Sequence, residues 1–271
     1  SCRKEHTCIK CLSCNEVSLI QDICPKCKSN KLDFVSLPCQ NCISSLKKET
    51  LNLIKILTTD LQIRRENILV SFSGNDGFHL YVANSAYNTL GSKERSDLSD
   101  YIMFRRAIPE AFGFKKANPS RSLLPELAEP GWRGRVAAGL FGSKSNRSKG
   151  VTKIISDGYH AYRQRLEEMG KNSIGIRIDP NVTVDIHRIF RLEGSLNSKS
   201  GLVKLACENI EKFSPYTEAC LIDDKPVEVL ANCPIVFRLK NKKFGPYANE
   251  TVSIPKFTAV YMICKGIANL A

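Results

Sequence analysis

Two C-x-x-C pairs, Cys11-Leu-Ser-Cys14 and Cys24-Pro-Lys-Cys27, stand nine residues apart near the start of a 271-residue chain. This spacing lets four thiolates surround one Zn²⁺ ion tetrahedrally, and turn residues and lysines lie beside the ligands. Cys2, Cys8, Cys39 and Cys42 flank that ribbon and make a second tetrahedral set, with His6 competing with Cys8 for one position. A second ion would pin the ends of the ribbon together. Four protein ligands leave no open position for a water, so zinc here is expected to be structural. The plainer reading, reduced cysteines packed as small core residues, suits a short polar segment poorly, yet eight of the 12 cysteines lie within residues 1–42. Cys207, Cys220, Cys233 and Cys264 are dispersed and read as core thiols. Thiolate zinc sites imply a reducing compartment, hence an intracellular, cytoplasmic protein.

A second constellation carries charge and hydroxyls. Asp179 closes the alternating run Ile174-Gly-Ile-Arg-Ile-Asp179, which puts a carboxylate at an expected strand end before a Pro-Asn turn. Asp185 would cap a short helix over residues 186–191, with Arg188 and Arg191 three apart on one face. Lys199 follows in the loop Gly194-Ser-Leu-Asn-Ser-Lys-Ser-Gly201. Two arginines, a lysine and a polar loop make a phosphate cradle, although alone the same cluster reads equally as a solvated basic face. Upstream, residues 68–73 and 78–82 are short β-rich runs joined by Gly74-Asn-Asp-Gly77. A hairpin with period two sends Val70, Phe72, Phe78, Leu80 and Val82 to a core and leaves Ser71, Ser73, His79 and Tyr81 on the other face. Taken alone, His79 would be a satisfied half-buried imidazole.

The elements that must position these groups follow from periodicity. Residues 43–61 carry apolar side chains at three-and-four spacing with lysines between, an amphipathic helix. Residues 92–104 and 159–169 read as further helices, the latter stopping at Gly170. Residues 105–149 are strongly basic, including Arg105, Arg106, Lys115, Lys116 and Arg121, and their tip over 142–150 reads as a flexible loop, solvated or touching a nucleic-acid backbone. Trp132 is expected to pack rather than stack on a base. Hydrophobic residues at 42% suffice for a globular core, and no apolar run is long enough for a membrane span. Lys and Arg number 40 against 27 Asp and Glu, a net charge of +13 that favours a polyanionic partner.

These residues carry a resemblance. Phe72-Ser-Gly-Asn-Asp-Gly-Phe-His-Leu-Tyr81 is similar to the S-G-x-R-G-x-H segment of the catalytic small subunit of archaeal and eukaryotic DNA primases. Residues 178–202 resemble that family's I-D-x-x-V-T-x-D-x-x-R-L-I-R-L-P-x-S-L-H-x-K-x-G-L stretch, and the order of zinc element, helix, hairpin and Asp179 block agrees over residues 2–218. The resemblance implies a mixed α/β (α+β) primase catalytic core with an inserted zinc element, residues 1–42 forming that element and 43–271 the C-terminal portion of the core. It implies two-metal nucleotidyl transfer with Mg²⁺ or Mn²⁺, making short primers on a single-stranded DNA template from nucleoside triphosphates. A heterodimer with a primase large subunit is implied too. In these terms Asp179 is the third metal carboxylate, Ser73 and His79 contact the nucleotide's phosphates, and Arg191, supported by Arg188 and Lys199, clamps the triphosphate.

Three features depart from the family pattern. Its first two carboxylates form a D-x-D pair shortly before the zinc element, no D-x-D occurs here, and the pair would precede Ser1, so the chain is expected to be a fragment that does not polymerise alone. Asp76 stands where the family has arginine, and Asn197 replaces the histidine of S-L-H. The rival readings are a non-catalytic, zinc-containing nucleic-acid-binding homologue and a repair or plasmid primase-polymerase. Asp179 with Arg177 on the same face is more than binding alone requires.

Overall fold

A computed structural model describes residues 2–83, 85–115 and 121–271, so Lys116 in the basic stretch lies outside the described residues. In chain order the elements are α1 (Arg3–His6), β1 (Thr7–Cys11), β2 (Val17–Leu19), β3 (Leu32–Ser36), α2 (Gln40–Thr59), β4 (Ile68–Phe72), β5 (Phe78–Val82), α3 (Ser85–Asn88) and α4 (Ser92–Ile102). They continue with α5 (Gly131–Phe141), α6 (Lys144–Met169), α7 (Pro180–Val184), β6 (Leu205–Ala206), α8 (Pro215–Glu218), β7 (Pro226–Cys233), β8 (Phe237–Leu239), β9 (Lys242–Phe244), β10 (Tyr247–Pro255), α9 (Lys256–Cys264) and β11 (Ala268–Leu270). This is a mixed α/β chain built on several small sheets. Among the described residues no helix is long and apolar enough to cross a membrane.

The chain divides into two compact units. The first comprises Ser1–Lys48, Leu69–Tyr81 and Phe190–Ala271, so a boundary after residue 42 falls inside it. It holds three three-stranded sheets, ordered β2-β1-β3, β5-β4-β6 and β10-β7-β11, and the β8-β9 pair. The hairpin of β4 and β5 forms, and Phe72 is fully buried, meeting the rings of Phe78 and Phe213 at centroid distances of 5.9 Å each; Ser71, expected on the opposite face, is buried as well, so the alternation is incomplete on β4. Cys207, Cys220 and Cys233 are buried free thiols, whereas Cys264 is half-buried.

The second unit, Glu49–Ile68 with Val82–Ile189, is mainly helical. Phe104, Phe112, Phe114, Val136, Tyr162 and Leu166 fill its core. Trp132 packs as expected, stacked on Tyr101 at a centroid distance of 5.0 Å while its indole N–H donates to the Tyr101 carbonyl at 2.8 Å. Beside it, Asp60, whose side chain is 6% exposed, accepts hydrogen bonds from Arg135 and from the Tyr101 hydroxyl, the latter at 2.8 Å. Burial alone would raise the Asp60 pKa, but these bonds hold it below its ordinary value of 3.8. Asp60→Asn should therefore lower unfolding stability by about 2 kcal/mol at neutral pH, since Arg135 loses its charged partner. A depressed carboxylate stabilises above its unfolded pKa, so the gap between variant and parent should close as denaturation is followed below about pH 4.

Three local expectations differ from the structure. Residues 144–150 are helical, not a flexible loop: Gly142, at φ 67°, ends α5, and α6 begins two residues later. Its polar composition describes the solvated face, while Arg147 anchors the other side through the Leu124 carbonyl at 3.2 Å and Glu126 at 3.3 Å. Residues 174–179 keep the in-and-out alternation, with Ile174 and Ile176 buried and Arg177 and Asp179 exposed, but they form no strand among the described residues. Alternation records faces, whereas a strand also needs a ladder partner, and here Ile176 N–H finds only the Ile102 carbonyl at 3.0 Å. Finally, no helix covers residues 186–191. The cap is Asp179, with Pro180 at the first helical position of α7, not Asp185. Ile189 is 94% exposed, and a six-residue helix with no buried face does not pay its nucleation cost.

Candidate functional site

The cysteine ribbon folds around its ligands. β1 and β2 pair antiparallel, and the Cys11 and Cys24 knuckles close on backbone bonds from Asn15 N–H to the Cys11 carbonyl at 2.9 Å and from Lys28 N–H to the Cys24 carbonyl at 3.0 Å. The four ligand atoms of Cys11, Cys14, Cys24 and Cys27 lie within 4.8 Å of one another, with Cys11 to Cys27 at 3.5 Å and Cys14 to Cys24 at 3.6 Å. Sulfurs tetrahedral about zinc sit about 3.8 Å apart, so this donor set fits the ion. The acid–base balance agrees. Burial opposes ionisation of Cys11, yet the Ser13 and Cys14 amides and the neighbouring thiols bring its pKa down to about 6. The Glu16 amide favours the Cys14 thiolate, yet burial and the neighbouring thiols push that pKa up to about 12. Four thiols this close cannot all ionise without a cation among them.

The second set is Cys2, His6, Cys39 and Cys42, so His6 takes the position for which Cys8 was the alternative. Cys8 lies fully buried on β1 with its thiol 3.8 Å from the Val35 carbonyl, and burial pushes its pKa up to about 12. Its sulfur is not among the ligand atoms that gather in this second set. His6 and Cys2 stand at i, i+4 over the single turn of α1, one face of a helix. That spacing was the available signal. His6 Nδ1 lies 2.7 Å from the Cys2 carbonyl, which can only accept, so Nδ1 carries the proton and Nε2 is left as the donor atom, 3.5 Å from Cys42 Sγ. Cys2 is 3.6 Å from both Cys39 and Cys42.

In the first unit the hairpin turn and the loop after Arg191 are tied together. Ser73 Oγ accepts from the amides of Asn75 at 3.3 Å and Gly77 at 3.2 Å, closing the turn. Gly74 has φ 84°, and a Cβ there would stand 3.0 Å from both Asn197 Cβ and the Leu202 carbonyl, so glycine is needed for the loop to approach. Asn197 donates to the Ser73 carbonyl at 3.1 Å and accepts from the Lys199 amide at 2.9 Å, while Ser200 donates to the Gly74 carbonyl. Asn197 is thus occupied in holding the scaffold. Arg191 donates to the Leu196 carbonyl at 2.8 Å and its own carbonyl accepts from Lys204, and the ring of His79 meets Phe190 edge-on at 6.3 Å. Ser73, His79, Arg191 and Lys199 therefore belong to one unit.

Lys265 is an addition that sequence reasoning missed. Its ammonium donates to Asn75 Oδ1 at 2.9 Å, beside exposed Asp76. Burial pulls its pKa down, opposed by the negative charge of Asp76. No sequence signal links residues 190 positions apart.

Asp179 and Arg188 belong to the second unit. Asp179 Oδ1 accepts from the Asn181 amide at 3.1 Å, and its Oδ2 is 3.7 Å from Arg188. The guanidinium thus neighbours the carboxylate rather than sharing a helical face with Arg191. Among the described residues no group of three acids surrounds Asp179, so these residues do not by themselves complete a two-metal site.

Comparison with known proteins gives a consistent result. The DNA primase small subunit family matches residues 32–207. The DNA primase small subunit PriS of Nitrosopumilus maritimus is 54% identical over 271 residues, covering 100% of this chain and 72% of that protein. The corresponding protein of Cenarchaeum symbiosum is 45% identical over 270 residues, again 100% of this chain and 72% of the relative. That of Methanococcoides burtonii is 28% identical over 83% of this chain and 70% of its own length.

Proposed function

The chain belongs to the DNA primase small-subunit family, the catalytic subunit of a nucleotidyltransferase that makes primers in DNA replication, and from that premise we propose how its residues share the reaction. The tied hairpin and loop hold the incoming nucleotide's triphosphate. Arg191 and Lys199 offer cationic donors and Ser73 and His79 polar ones, a combination that suits phosphate oxygens. Arg188 stands beside Asp179 in the second unit. The observation that carries this reading is the double tie of Asn197 and Ser200 to the Ser73-Gly74 backbone, which gives two remote segments one fixed geometry.

Asp179 is one carboxylate ligand for Mg²⁺ or Mn²⁺, and the bound metals would activate a 3′-hydroxyl and stabilise the leaving pyrophosphate. Both cysteine sets hold structural zinc, with His6 in the second. The zinc element occupies residues 1–42 and the catalytic core 43–271, with a single-stranded DNA template, nucleoside triphosphates and a primase large subunit as partners, inside the cell.

Lys199→Met should weaken nucleoside triphosphate binding by about tenfold to a hundredfold, the worth of a hydrogen bond to a charged group. Titration with a fluorescent triphosphate measures it. Unchanged affinity in both Lys199→Met and Ser73→Ala would remove the triphosphate from this face.

A further inference from the structure

The second unit contains a cavity of about 590 Å³ whose lining combines a cationic mouth with an apolar floor. Three backbone segments meet there: residues 103–108 after α4, the end of α6, and residues 175–177. Glycine makes their approach possible, because a Cβ on Gly175 would lie 2.4 Å from the carbonyls of both Gly170 and Met103. Two non-glycine residues at the rim, Phe104 at φ 52° and Arg106 at φ 60°, hold left-handed conformations that side chains disfavour. Phe104 is locked there by burial against Phe112 and Trp132. The strained pair sits on either side of Arg105.

The charges are partly pre-set. Arg106, Arg163 and Arg177 are each held by a carboxylate, from Asp100 at 3.2 Å, Glu167 at 3.1 Å and Glu49 at 2.8 Å, and remain mostly exposed. Arg105 and Lys171, also on the lining, have no ion pair among the described residues. Ala107 and Ile108, the latter 56% exposed, supply the accessible apolar surface, with Leu166 and Ile176 buried beneath it. A free phosphate or a polyphosphate would use the cations and leave that surface wet. A duplex keeps its bases stacked inside, so it too would offer the floor nothing. An unpaired nucleotide in a chain has both a backbone charge and an apolar base face.

We propose that this cavity is a binding site for single-stranded nucleic acid, with Arg105 and Lys171 on the backbone phosphates and Ile108 under an unstacked base. The proposal deepens the primase reading, which requires a single-stranded template, and rests on it. It assigns the contact to residues outside the triphosphate-binding set.

The test is fluorescence anisotropy of labelled oligo(dT) with the protein, titrated at several salt concentrations. The Arg105→Ala/Lys171→Ala pair should weaken binding by about tenfold and lower the slope of log K against log salt by about 1.4, two phosphate contacts on a single strand. Ile108→Ser should weaken binding with the slope unchanged and reduce the preference for oligo(dT) over a duplex. A matched control, Lys242→Ala/Lys243→Ala on exposed β9, should change both quantities less. If the first pair behaves like the control while the parent binds oligo(dT), the cavity assignment is wrong and the triphosphate reading stands. If the pair instead loses only poly-glutamate, the cavity takes an acidic polypeptide and the proposal is overturned. Were the parent itself not to bind oligo(dT), the cavity proposal would fall together with the single-stranded template reading on which it rests, while the triphosphate reading answers to the fluorescent triphosphate titration.

Discussion

In a complete primase small subunit, Asp179→Asn is expected to cut primer synthesis about a thousand-fold with the fold intact. The substitution is nearly isosteric, and asparagine caps a helix about as well as aspartate, so α7 keeps its bond from the Asn181 amide. The ion pair with Arg188 at 3.7 Å joins two exposed groups and contributes little to stability. What disappears is the negative charge. If Asp179 is a metal ligand, its loss removes several kcal/mol of transition-state stabilisation, and about 4 kcal/mol corresponds to that thousand-fold. Primer synthesis on a single-stranded template, measured beside thermal unfolding, separates the two effects. Activity within tenfold of the parent, at equal stability, would show that Asp179 is not at the metal.

Cys24→Ser should have the largest structural consequence. Cys24 is fully buried, and its knuckle depends on a metal because the ribbon has little apolar core of its own. Bound zinc should fall from two equivalents to one, and the melting temperature should drop by roughly 10 °C or more, since β1 belongs both to the ribbon and to the sheet with β3. His6→Ala should lose the other equivalent. Cys8→Ser should lose neither, because that thiol is packed against the Val35 carbonyl, although burying a hydroxyl there costs some stability. Elemental analysis of purified variants reads all three. Zinc retained in Cys24→Ser, or lost in Cys8→Ser, contradicts the assignment of ligands.

The contrast between Cys8 and His6 illustrates a limit of spacing. For Cys11, Cys14, Cys24 and Cys27 the ligands sit in two tight turns whose geometry is local, so their arrangement was legible in residue order. The second set draws on two segments separated by the ribbon, and which residue points inward depends on where β1 is buried. The region around Asp179 shows the same limit. Its alternation correctly separated buried Ile174 and Ile176 from exposed Arg177 and Asp179, but it carried no information about a neighbouring strand. Composition misled over residues 144–150, where a polar run is one solvated helix face held by Arg147.

Residue order alone therefore determined, in outline, the two cysteine groups that could hold a metal, the β4–β5 hairpin, the long helix α2, the basic character and the family. These are properties of local geometry, periodicity and summed charge, which a chain carries before it folds. Tertiary structure alone decided that His6 displaces Cys8, that Asn197 is occupied in tying the hairpin to the loop, that Lys265 reaches Asn75 and that cations and apolar side chains share one cavity. Each of these depends on contacts between distant segments, and such contacts are selected by packing of the whole unit rather than by any neighbour in sequence.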